Sequence, residues 1–249
     1  MTPAHPLETP SPPFRPDNRL SEAKPEHETA EEPSPETLRR ALRKGRAVLD
    51  SQFDALYPLS IREVSSSFWT PVSVAIRVAE LLVVHGRKTR VLDVGAGVGK
   101  FCIIGAAVTG ASFVGLEHRE RFVKLAEDAA KRTGVTNARF IHGCLDEHVH
   151  TNVDAYYFYN PFEENLWAND MQLDRSVELS EQRFFSDIET AMTMLSRART
   201  GTRVATYHGF GGIMPSGYRQ VLREQCGSGH VELWVKTAVG LREQRRTSR

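Results

Sequence analysis

The chain has 249 residues, 40% of them hydrophobic, and a formal net charge of +1. That is apolar material for one sizeable core, and a charge that names no partner. Three cysteines (Cys102, Cys144 and Cys226) exclude a disulfide framework, no apolar run reaches the roughly 20 residues that span a bilayer, and no apolar signal stretch heads the chain, so the expected setting is soluble and cytoplasmic.

Residues 1–35 hold nine of the 13 prolines, with seven acidic and three basic side chains. A Pro/Glu-rich leader of this kind cannot bury enough surface to offset its chain entropy and is predicted to be disordered. The expected organisation is this leader, a folded domain over residues 36–240 whose first part, 36–86, is helical, and a basic tail over 241–249. The first helix is predicted over "SPETLRRALRKGRAVLDSQFDAL". Ser34 suits its cap and Pro35 its first turn, and Leu38, Ala41, Leu42, Val48, Leu49 and Phe53 follow at helical spacing. In "SSSFWTPVSVAIRVAELLVVHG", Thr70 is the expected cap and Pro71 the start. Val74, Val78, Leu81 and Leu82 form the apolar stripe, and Gly86 is the stop.

From there strands and helices alternate. "TRVLDVG", "SFVGLE", "ARFIHG", "VDAYYFYN" and "TRVATYHG" read as strands. "KFCIIGAAVTG", "RFVKLAEDAAKRTG" and "EQRFFSDIETAMTMLSRART" read as helices between them. A short helix near "YRQVLREQ" and a last strand, "HVELWVKTAV", complete the series. Such a series predicts an α/β fold: a doubly wound, mostly parallel sheet with helices on both faces.

The most informative segment is "VLDVGAGVGKF". A parallel strand ends at Val94, and Gly95, Gly97 and Gly99 form the turn into a helix. Glycines permit positive φ and let a ligand approach without Cβ atoms in the way, while the helix start adds N–H donors. Dinucleotide folds prefer G-x-G-x-x-G with a pyrophosphate over the helix start. Here the spacing is G-x-G-x-G with Lys100 at the sixth place. Asp93 also stands two residues before the first glycine, where a carboxylate suits a cationic amino group better than a pyrophosphate.

This pattern resembles motif I of the class I, Rossmann-like S-adenosylmethionine (SAM)-dependent methyltransferases, D-x-G-x-G-x-G. Glu117 closes the next strand, where that family places the acid that binds both ribose hydroxyls, and a carboxylate offers two acceptors to a vicinal diol. The resemblance implies that Asp93, Gly95, Gly97, Gly99 and Glu117 bind SAM. It implies that an acid after the third strand, here Asp146 in "HGCLDEH", reaches the adenine, and that the Thr70 region of "FWTP" meets the SAM carboxylate. The family normally finishes with an antiparallel pair of strands, of which only "HVELWVKTAV" is plain, so the sheet is expected to be one strand short or to hide a strand in "SGYRQVL". Cys144, His148 and His150 match no standard metal spacing, and no metal is expected.

After the fourth strand comes "FYNPF", residues 158–162. Open α/β sheets hold ligands at the carboxyl ends of their strands, which puts Asn160 and Phe162 at the reacting centre. The segment resembles the (D/N/S)-P-P-(Y/F) motif of methyltransferases that act on planar or amine nitrogens. That resemblance implies that Asn160 orients the acceptor, with Phe162 and Tyr159 as walls. Non-SET protein-lysine methyltransferases show a similar order of motifs. The expected function is therefore methyl transfer from SAM to an amine or amide nitrogen, foremost of a protein side chain. The alternatives are a nucleic-acid base as acceptor and a non-catalytic SAM-fold scaffold. "YHGFGG", with Tyr207 and His208, is a candidate substrate lid. The acceptor, protein or nucleic acid, and the oligomeric state stay open at this point.

Overall fold

The structure is a computed structural model that describes residues 33–148, 152–168 and 172–238. The predicted disorder of the leader (up to residue 32), the basic tail and His150 lie outside the described residues.

The predicted first helix is two. α1 spans Pro35–Arg43, with the Ser34 hydroxyl accepting from the Thr37 N–H as a cap should. Gly45, at φ +64°, stops it, and α2 follows over Asp50–Asp54. Two short turns, α3 (Leu59–Arg62) and α4 (Ser65–Phe68), lead to α5, Val72–Leu82. Here the expected cap is corrected. Pro71 occupies the cap position, and the Thr70 hydroxyl is turned away to Tyr157.

The sheet contains β1 (Arg90–Val94), β2 (Ser112–Glu117), β3 (Ala138–His142), β4 (Ala155–Tyr159), β5 (Arg203–Tyr207), β6 (Tyr218–Cys226) and β7 (Gly229–Lys236). Their order is β3-β2-β1-β4-β5-β7-β6. The first five are mutually parallel; β7 runs antiparallel to β5, and β6 antiparallel to β7. The connecting helices are α6 (Lys100–Thr109), α7 (Glu120–Thr133) and α8 (Glu181–Arg197). The sheet is thus mostly parallel and is not one strand short.

The segment read as a short helix near "YRQVLREQ" is β6. Leu222, Glu224 and Cys226 alternate with more exposed neighbours, the period of a strand with one face covered. A register shift between Gln220 and Leu222 interrupts that alternation, and the mixed polar composition suits an edge. Arg77 of α5 grips Glu224 through two bonds, at 2.5 and 3.0 Å.

Side chains alternate across the parallel strands, building two cores. Val91, Phe113, Ala155, Tyr157, Ala205 and Tyr207 face the side of α1, α5, α6 and α7. Leu92, Val94, Val114, Tyr156, Phe158 and Val204 face α8. Between β3 and β4 the chain makes only a single 3₁₀ turn, Leu145–Glu147, among the described residues. The order reverses between β1 and β4, and the crevice at their carboxyl ends is the ligand position of such sheets. No helix among the described residues is long and apolar enough to cross a membrane.

Candidate active site

The glycine turn leaves β1 with φ values of +75°, +54° and +78° at Gly95, Gly97 and Gly99. It is pinned to the neighbouring strand, since the Gly95 and Ala96 N–H groups both donate to the Leu116 carbonyl at 2.9 Å. Two of the glycines have separate reasons. A Cβ on Gly95 would lie 2.6 Å from the Cβ of Pro161, so only a glycine lets the turn after β4 approach. A Cβ on Gly97 would meet no atom within 4 Å, so this side of the turn is an open cradle.

Glu117, at the end of β2, is buried, with Oε2 accepting from the Gly97 N–H at 2.8 Å and Oε1 from the Arg119 N–H at 2.9 Å. Burial raises its pKa against the opposing pull of these two bonds. Each oxygen retains acceptor capacity toward a ligand. Asp93 is also buried, accepts from the Cys102 thiol at 3.5 Å, and is pushed up to about 7, first by desolvation. The Thr70 hydroxyl pairs with that of Tyr157 at 3.0 Å, both buried.

The turn after β4 is strained. Asn160 has φ +41°, and its N–H donates to the Gly209 carbonyl at 3.0 Å. His208, beside it at the end of β5, has φ +57°. These two are the positive-φ residues other than glycine among the described residues, and such strain concentrates at functional sites. The Asn160 amide donates through Nδ2 to Glu163. The Tyr159 ring lies 5.0 Å from Tyr207 and 5.7 Å from His208, and burial pushes its hydroxyl up to about 12.

Two expected site residues are placed differently. Phe162 is only 6% exposed and belongs to the α8-side core with Phe158 and Phe210, so its ring packs the interior instead of offering a wall. Asp146 is exposed in the 3₁₀ turn and lines a groove of about 570 Å³ with Tyr156, Thr190 and Arg197. No hydrogen bond joins it to the glycine turn among the described residues. Likewise, no group of three or more His, Cys, Asp or Glu able to hold a metal occurs among them.

Other residues of the site escaped the sequence reading. Arg119, 3% exposed, forks onto both Glu164 oxygens at 2.9 and 3.0 Å and reaches Asp174 at 3.0 Å. It thereby fastens the segment after Asn160 to the end of β2. Trp167 of that segment meets Phe68 with ring centroids 5.2 Å apart. Lys100, at the first position of α6, is 3% exposed and pairs with Asp50 at 2.6 Å and Asp54 at 2.7 Å.

Residues 85–154 match a family described as a methyltransferase domain, a stretch that holds the glycine turn and Glu117. No curated protein matches the sequence. Among solved structures, an RNA methyltransferase from Salinibacter ruber in complex with S-adenosyl-L-homocysteine is 19% identical, over 68% of this chain and 93% of that one, with a TM-score of 0.48. TrmN from Thermus thermophilus is 20% identical over 72% of this chain, with a TM-score of 0.48, and the match spans about half (53%) of TrmN. The matched family describes the part of the chain in which the cradle and its acids meet. The sheet has a Rossmann-like order, and its cofactor-side half carries the match to a methyltransferase domain.

Proposed function

We propose that the protein transfers a methyl group from SAM to an amine or amide nitrogen, foremost of a protein side chain. The observation that carries this reading is the seating of Pro161 against Gly95: it brings Asn160, a side chain suited to an N–H acceptor group, beside the cofactor turn. SAM supplies an electrophilic methyl on a sulfonium when bound. Gly95, Gly97 and Gly99 offer backbone around the open cradle, Asp93 a carboxylate for its amino group, and Glu117 two acceptors for its ribose hydroxyls. Thr70 stands near the cofactor's carboxylate end in this reading. Asn160 then accepts from the substrate nitrogen through Oδ1 and holds it in line, since alignment and exclusion of water supply much of the barrier reduction in such displacements. Tyr159, half-buried and packed on Tyr207, presents an aromatic ring that favours cationic groups.

The test is transfer of labelled methyl from SAM into separate protein, RNA and small-molecule pools, with the product identified after hydrolysis. Asn160→Ala is expected to keep SAM affinity by calorimetry and to lower kcat by about a hundredfold, the usual cost of losing one positioned hydrogen-bond partner. Full turnover in that variant contradicts the role.

A further inference from the structure

Asn160 does not stand alone. Its Nδ2 donates to Glu163 Oε2, three residues on, in the 3₁₀ turn Glu163–Leu166. A carboxylate only accepts, so this bond fixes which way the Asn160 amide faces: NH₂ toward Glu163, Oδ1 away from it. Among the described residues, Asn160 Oδ1 and Glu163 Oε1 take no other hydrogen bond. The two buried cations of the site are engaged elsewhere, Arg119 by Glu164 and Asp174 and Lys100 by Asp50 and Asp54. Glu163 is thus a partly buried anion beside the acceptor-binding amide, with Tyr159 close to it.

We infer that Glu163 is a second catalytic residue, that it locks Asn160 with its carbonyl toward the acceptor, and that it receives a proton from an acceptor that enters as a primary ammonium of the lysine type. This rests on the reading of Asn160 as the acceptor-binding side chain. The ammonium N–H bond breaks and its proton passes to Glu163 Oε1, leaving the nitrogen lone pair free and the carboxyl neutral. That lone pair forms the new N–C bond as the methyl C–S bond breaks with its electron pair to sulfur; the carboxyl proton is then lost to solvent. Burial raises the pKa of Glu163, which makes it a better proton acceptor than a surface carboxylate, and the Asn160 bond opposes that rise. A phosphate-rich acceptor would meet the same carboxylate as a repulsion.

The groups facing Glu163 are Tyr159 from β4, whose hydroxyl stays neutral below about 12, and beyond it His208 from β5, 5.7 Å from the Tyr159 ring, whose pKa burial lowers. The experiment compares wild type, Glu163→Gln and Glu163→Asp with labelled SAM and a synthetic lysine-rich polypeptide, in parallel with total RNA. Glu163→Gln can turn its own amide N–H toward Asn160 and release the lock. It is expected to keep SAM affinity within about twofold while kcat/KM for the polypeptide falls by about a hundredfold. Its rate should then climb about tenfold per pH unit toward the free amine pKa, where wild type levels off. Glu163→Asp is expected to recover part of the loss. An unchanged rate and pH profile in Glu163→Gln overturns the inference while leaving the proposed function standing. So does label recovered as a methylated nucleobase. Bound SAM with no label in any pool removes both.

Discussion

In the proposed reading, Asp93 is expected to set the pH dependence of SAM binding. Its carboxyl sits in a buried pocket with Cys102 and, at longer range, Glu117, and its pKa of about 7 compares with an ordinary 3.8. Cys102 is pushed well above its usual value and stays a neutral thiol. Because the folded pKa is the higher one, folding favours the protonated form. That contribution to stability is complete below the ordinary carboxylate pKa and is lost as pH rises toward about 7. A bound ammonium reverses the balance by favouring the ionised carboxylate. SAM binding is therefore expected to release a proton on the acidic side of neutrality, with Kd falling about tenfold for each pH unit there. Calorimetry in buffers of different ionisation enthalpy measures both quantities. Asp93→Asn should flatten the pH dependence, weaken SAM binding and raise Tm of the ligand-free protein at pH 7; a slope that survives the substitution assigns the proton to another group.

At the scale of elements, the segment after β4 crosses toward β2, and Arg119 is what fastens it. A buried guanidinium that loses its fork leaves two carboxylates unpaired, a change that costs about 3–5 kcal/mol when both partners are fully buried. Asp174 keeps 24% of its side-chain surface, so Arg119→Met should cost about 3 kcal/mol in chemical denaturation. The loss of amide protection should concentrate at residues 163–168, where Leu166 and Trp167 otherwise ride on this anchor. Uniform loss across the sheet would mean that Arg119 supports the core and not the segment. This anchor also marks the limit of what the sequence displays. The cradle was legible because its parts are contiguous: a strand, a carboxylate, three glycines and a helix start within ten residues, then an acid at the end of the following strand. Arg119 lies 45 residues from Glu164 and 55 from Asp174, and nothing local in either segment announces the pairing. Phe162 fails for the converse reason. Its local motif suggests a wall, but Asn160 turns the backbone through a left-handed conformation and delivers the ring to the α8 core. β6 was hidden because an edge strand with one bulge has neither a clean period of two nor one of 3.6.

Over the whole molecule, the question is how the N-terminal helices are held across the cofactor end of the sheet. Apolar contacts through Leu38, Leu42 and Phe53 join them to the core, and the Tyr57 hydroxyl donates to the Val98 carbonyl at 3.0 Å. Lys100 adds the charged joint. It places a buried ammonium between Asp50 and Asp54, about 5.9 Å above the rings of Phe53 and Trp69. Asp50 meanwhile accepts from the Val72 N–H at 2.9 Å at the start of α5, so one cluster joins α2, α5 and α6. Removing the cation strands Asp54, whose other oxygen is held by the Ser65 hydroxyl and which is 6% exposed. Lys100→Ala is expected to cost about 3–5 kcal/mol, a fall of roughly 10 °C in Tm for a domain of this size. Taking away the stranded charge as well separates the two causes. In Lys100→Met with Asp54→Leu, apolar volume replaces the pair, and most of the loss should return, because a buried ion pair contributes little net stability over a hydrophobic substitute. Recovery without restored SAM affinity would show that the ammonium serves the cradle directly. Recovery of both would assign Lys100 to joining the helices, and a single variant that melts like wild type would remove the joint from the account altogether.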